Sequence, residues 1–116
     1  MANLRDQILN KKDIDSELVT IPEWDAEVDV RGLSGSARNR ILSKAIDKKG
    51  NVDLDSIYPD LIIASTYDRN TGERIFGRED RDAINAKSGK ALERITRVAM
   101  RLSGLDDGAI EDKVKN

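Results

Sequence analysis

From Ala26 to Arg31 the chain alternates without a break, with Ala26, Val28 and Val30 on one side and Glu27, Asp29 and Arg31 on the other. A period of two belongs to a strand with one face on a core and the other in water, because successive side chains point to opposite faces. Upstream, Leu18, Val19, Thr20 and Ile21 form a second β-prone run, and Pro22 separates the two at a position suited to a turn. The pattern predicts a β-hairpin. Gly32 stops the second strand, and Ser34 is placed to cap a following helix. Trp24, the only tryptophan, falls in the turn, where it is expected as a buried lid on the core.

Beyond the hairpin the period changes. Ala37, Ile41, Leu42, Ala45 and Ile46 recur at helical spacing and predict a helix from about 35 to 48, ending in Lys48, Lys49 and Gly50. Leu54, Ile57, Tyr58, Leu61, Ile62 and Ala64 form another stripe, which Pro59 interrupts. A proline lacks the helix N–H and disfavours helix in the residue before it. The expected helix therefore runs over 59–67, with its extension back to Asp53 left open. Asp68 to Gly72 reads as a loop and 78–86 as a short helix with Glu79 and Asp80 in its first turn. The clearest helix is 89–103, capped by Ser88 and ended by Gly104 and Leu105, with Ala91, Leu92, Ile95, Val98, Ala99 and Leu102 on its core face. Residues 3–10, with Leu4, Ile8 and Leu9, predict a short helix that is marginal by itself. The fold class expected is α+β, an N-terminal hairpin packed by about four helices: one small domain over 1–105 and a weakly ordered acidic tail over 106–116.

Composition removes several functions. There is no cysteine and no histidine, so disulfides, thiol nucleophiles, Cys/His zinc sites and the commonest general base are all excluded. No carboxylate pair stands out as an acid/base site, and neither catalysis nor a cofactor is expected. Twenty basic against 22 acidic groups, a formal charge of −2, argues against a dedicated nucleic-acid binder. The polar N-terminus and the lack of a long apolar run argue against a signal peptide or a membrane span.

Three apparent motifs fail on their own chemistry. Asp68-x-Asn70 with Glu79 has the length of a calcium loop, but the glycine falls at a ligand position and Glu73 sits where the turn needs glycine. Ser88-Gly89-Lys90 is similar to the end of a phosphate loop, yet the leading glycine would be Ile84. Gly32-Leu33-Ser34-Gly35 has the spacing of an RNA-clamping loop, but that loop joins two helices and here a strand precedes it.

Two surfaces are candidates for partners. Glu23, Asp25, Glu27 and Asp29 make the hairpin's water-facing side acidic. Such a face ordinarily keeps an exposed strand soluble. Its functional reading is a docking strip, with Glu27 and Asp29 meeting a basic partner or the Arg38 and Arg40 side of another copy's helix in a homo-oligomer. In the tail, Ile110 and Val114 share a face if the segment is helical.

An early hairpin with a Pro22-Glu23-Trp24 turn, a strand closing on Arg31-Gly32-Leu33-Ser34-Gly35 and a basic helix after it resemble the short tail assembly chaperones of long-tailed bacteriophages. The run from Leu92-Glu93-Arg94-Ile95 to Arg101-Leu102-Ser103-Gly104-Leu105, followed by an acidic tail, is similar to the way those proteins end. The resemblance covers most of the chain, in order. It implies a non-enzymatic protein of the host cytoplasm, absent from the finished virion, that holds the aggregation-prone tape-measure protein. It also implies recruitment of tail-tube protein, in that family often through a longer frameshifted product. The alternative is a structural virion component, such as a minor tail or head-tail joining protein.

Overall fold

In the computed structural model, which describes residues 3–105, the hairpin forms where the alternation places it. Strand β1 (Ser16–Ile21) pairs antiparallel with β2 (Ala26–Arg31), Val19 lying opposite Val28 and Ile21 opposite Ala26. The turn is a single 3-10 turn, Pro22–Trp24, closed by the Asp25 N–H donating to the Pro22 carbonyl at 3.2 Å. Asp25 is left-handed, at φ 48°, a conformation that Asp and Asn tolerate better than most residues. Val19, Ile21, Val28 and Val30 are buried, while Ala26 at the strand's start is exposed. Trp24 is half-buried and packs against the core from its rim, so it closes the core less fully than a buried lid would.

Helix α1 (Leu4–Leu9) precedes the hairpin, and α2 (Gly35–Ala45), α3 (Leu54–Ser65), α4 (Arg81–Asn85) and α5 (Gly89–Ser103) follow it. α5 packs on the inner face of the hairpin, α3 packs on α5, and α2 and α4 pack on α3. The class is α+β, as expected, with one addition. Strand β3 (Thr66–Tyr67) pairs antiparallel with β2, with Thr66 opposite Val30 and Tyr67 opposite Asp29, giving the order β1-β2-β3.

That strand corrects the helix expected over 59–67. α3 starts after the N-cap Asp53, runs through Pro59 and stops at Ser65, where Thr66 turns extended. Pro59 is fully buried within the helix, so core packing offsets the missing donor. Thr66 and Tyr67 suit a strand, and β2 offers them its second edge. α2 also stops short of 48, at Ala45. Asp47 accepts from the Lys49 and Asn51 backbone N–H groups at 2.9 and 2.8 Å and from the Asn51 amide at 3.1 Å. This local bonding competes with helix, and Gly50 completes the turn at φ 85°. The expected helix over 78–86 divides into a 3-10 turn (Arg78–Asp80) and α4, with Asp80 accepting from the Gly77 N–H at 2.8 Å.

α5 forms over 89–103 as read from its caps. The Ser88 hydroxyl accepts from Ala91 N–H at 3.3 Å. At the other end Gly104 is left-handed at φ 68°, and the Leu105 N–H donates to the Met100 carbonyl at 2.8 Å. This is the glycine-closed helix end whose hydrophobic contact is Leu105, itself 1% exposed. The buried stripe, however, is Ala91, Ile95, Thr96, Ala99 and Ser103. Leu92 and Leu102 are half-buried flanks, not core, and Tyr58 of α3 is exposed. Small residues hold the centre because α5 lies close on the sheet, and the larger ones are displaced to its sides.

Candidate partner-binding surfaces

The first surface is the N-terminal arm. α1 is held by its own cap, the Asn3 side chain accepting from Asp6 N–H at 2.8 Å, and buries none of its residues. Leu4 and Ile8, one helical turn apart, are 69% and 61% exposed, and Leu9 is 66% exposed. Ile14 and Leu18 continue the apolar series toward β1. Five of the seven large exposed hydrophobics among the described residues thus lie between 4 and 18, a concentration expected of a contact surface and not of scattered exposure. A helix of six residues is too short to gain stability by itself. The sequence shows these residues as a marginal helix; that they lack a core to pack on emerges only from the fold.

The outer sheet face is charged but largely self-paired. Arg31 Nε donates to Asp29 at 2.9 Å and its guanidinium lies 4.0 Å over the Tyr67 ring. Glu27 is ion-paired with Arg69 and accepts from the Thr20 hydroxyl at 3.3 Å. The two carboxylates proposed from sequence as a docking strip, Glu27 and Asp29, therefore share one face, and each has a cation of this chain beside it.

α5 is tied to its surroundings along its length. Arg94 grips Glu23 with two nitrogens, at 2.8 and 3.1 Å, joining the helix to the hairpin turn. Arg38 donates from Nε to the Ser103 carbonyl at 3.0 Å and from Nη2 to the Gly104 carbonyl at 3.1 Å. It thus caps α5 at the end where cations are favoured. Arg40, two residues on and so on the other side of α2, is exposed and has no ion-pair partner among the described residues. Ile110 and Val114 lie outside the described residues.

The Arg94 bond holds the Glu23 carboxyl below its usual range, and the Asn51 backbone and side-chain bonds do the same for Asp47. Between the lowered folded pKa and the ordinary unfolded one, the unfolded chain binds more protons, so stability rises with pH there. The contribution is complete at neutral pH and is lost as pH falls through the folded pKa values. The urea midpoint, followed by Trp24 emission, should decline on acidification below the ordinary carboxylate pKa. That decline should be shallower in Glu23→Gln with Asp47→Asn. Equal slopes in variant and parent would mean these two carboxylates carry none of the acid sensitivity.

The shifted groups all serve structural bonds, and no His, Cys, Asp or Glu cluster able to hold a metal occurs among the described residues. No helix among them is long and apolar enough to cross a membrane. The molecule is a small α+β body that carries an uncovered apolar arm. The phage tail assembly chaperone family matches residues 3–116, and the chain belongs to that family. It is also similar to the solved structure of the bacteriophage HK97 tail assembly chaperone, with a TM-score of 0.62 and 21% identity. The match covers 92% of this chain and 100% of that one, and at this identity it shows a shared fold. No curated protein sequence matches the chain.

Proposed function

We propose that this chain binds the tape-measure protein of its phage during tail assembly and helps to recruit tail-tube subunits. It acts as a non-enzymatic chaperone in the host cytoplasm and is left out of the finished virion. Family membership supports the chaperone role; the arm supports the mode. A long helical partner exposes apolar stripes that aggregate before assembly. An amphipathic segment covers such stripes by packing its apolar face into the partner's groove. The observation that carries this reading is that α1 keeps Leu4, Ile8 and Leu9 in water. Residues 1–105 form the folded unit in this proposal, and 106–116 add contacts during assembly.

The test is co-expression with the tape-measure protein of the same phage, followed by pull-down. Leu4→Asp with Ile8→Asp should lose capture and leave the urea midpoint within about half a kcal/mol of the parent, as surface changes do. Capture that persists in this variant would move the partner surface away from the arm. Purified particles should lack the chain; a fixed copy number in them would instead make it a virion component. Deleting 106–116 should leave the thermal midpoint nearly unchanged and reduce capture or tail yield. A deletion that unfolds the body would end the division at residue 105.

A further inference from the structure

The chain has eleven arginines. Seven of them hold a carboxylate, and Arg38 holds the two carbonyls at the end of α5. The three with neither kind of partner among the described residues are Arg40, Arg74 and Arg78, and all three line one groove. That groove, of about 420 Å³, lies between α2, α3 and the segment leading to Arg78. Lys44 completes its rim, and Asp60 is the only carboxylate in its lining among the described residues. Asp60 is already engaged by Arg81 at 2.6 Å and by Lys44 at 3.6 Å. Arg74 reaches only the Tyr67 hydroxyl, at 3.4 Å. In a chain of net charge −2, the arginines left without an anion are thus gathered in one place, not scattered.

Helical spacing puts these groups together. Arg40, Ile41 and Lys44 share one side of α2, and Asp60, Ile63 and Ala64 share one side of α3. Ile41 is buried and Ile63 and Ala64 are half-buried, so an apolar floor lies beneath a cationic rim. A cleft lined by one sign of charge concentrates ligands of the opposite sign. The guanidinium fork matches a carboxylate or a phosphate with two parallel hydrogen bonds. Two features select the carboxylate. Among the described residues the lining holds no aromatic ring on which a base could stack. The aliphatic floor also fits an apolar side chain, which a peptide carries between its acids and a phosphate backbone does not. The volume suits a few side chains, not a whole helix.

We infer that the groove binds an acidic segment of a partner protein, whose carboxylates meet Arg40, Arg74 and Arg78 while an aliphatic side chain between them packs on Ile41 and Ile63. The groove shares no residue with the arm of Leu4, Ile8 and Leu9, so loss of one surface leaves the other in place. The protein thereby offers two surfaces of different chemistry, one apolar and one cationic, each fitted to a different partner segment.

The probe is a short dye-labelled peptide, blocked at both ends, in which glutamates flank one leucine. Titrated with the full-length protein and read by fluorescence anisotropy, it should bind saturably. Binding should weaken about tenfold or more in Arg40→Glu with Arg78→Glu, two exposed positions whose change leaves the urea midpoint in place. Lys87→Glu with Lys90→Glu alters net charge equally at exposed positions outside the groove, and should stay within about twofold of the parent because distant exposed charges are screened. Serine in place of the probe's leucine should weaken binding severalfold. Should the arginine reversal disturb the fold, Arg40→Gln with Arg78→Gln reads the same loss without adding acids. Equal losses in the arginine and lysine variants, equal binding of the serine peptide, or no saturation would overturn the inference. So would tighter binding of a single-stranded oligothymidylate of the same charge, since the occupant would then be a nucleic acid.

Discussion

Ile95→Asp is expected to abolish folding. Ile95 is fully buried at the centre of the α5 stripe, with Ala91 and Ala99 one turn to either side and both also at 0% exposure. The neighbouring core is aliphatic, from Val19, Ile21 and Val30 of the sheet to Leu61 and Ile62 of α3, so a carboxylate there meets no donor. Burying an unpaired charge costs several kcal/mol even after relaxation, and a domain of this size is stable by only about 5–15 kcal/mol. Circular dichroism should show no cooperative urea transition. Ile95→Ala, which leaves a cavity and no charge, should retain a transition lowered by about 2–5 kcal/mol. Arg97→Ala, on the exposed side of the same helix, should change stability by only about half a kcal/mol. Comparable losses at Ile95 and Arg97 would reverse the assignment of the helix face.

The helix face also shows how far local pattern reaches. Ser88 and Gly104 mark the ends of α5 because caps are local chemistry, and both hold in the structure. The alternation of 26–31 marks β2 because a strand's faces are written in successive residues. Leu92 and Leu102 read as core because helical spacing identifies a side of the helix, not its depth. Depth was set by how close α5 approaches the sheet, and that favours Ala91, Ala99 and Ser103. Thr66 and Tyr67 left no strand signal: two residues cannot show a period, and their partners Asp29 and Val30 lie far back in the chain.

The same limit applies to the candidate surfaces. Glu23 and Arg94 are 71 positions apart, so their pairing is invisible to any spacing argument. Arg38 was legible as a cation on the outer side of α2 but not as the cap of α5, which arrives from 65 positions away. The acidic strip of Glu27 and Asp29 was legible as charge, and Arg31 as a cation beside Asp29 on the same strand face; the pairing of Glu27 with Arg69 depends on the turn after β3, 42 positions along the chain. Conversely, the exposure of Leu4 and Ile8 is a property of what fails to cover them. Apolar helical spacing ordinarily announces core, and only the fold turns it into a surface.

Gly32→Ala should be among the most damaging small substitutions in the chain, although alanine is the mildest side chain. A Cβ at Gly32 would stand 2.8 Å from the Leu102 carbonyl oxygen and 3.3 Å from its carbon. These are backbone atoms of α5, so no rotamer change can relieve the contact; the helix end must move away from the strand. That end is held by a tight set of bonds. Leu33 N–H donates to the Ser103 hydroxyl at 3.0 Å, and Arg38 donates to the Ser103 and Gly104 carbonyls. Displacing α5 strains all of them together, and overpacking of this kind costs about 1–3 kcal/mol. Gly35→Ala, in the first turn of α2 with nothing within 4 Å of the added carbon, should instead gain about 0.4–1 kcal/mol through a less flexible unfolded chain. Opposite signs at two glycines three positions apart, measured as urea midpoints, would fix the cause as the approach of α5. Matching signs would remove it.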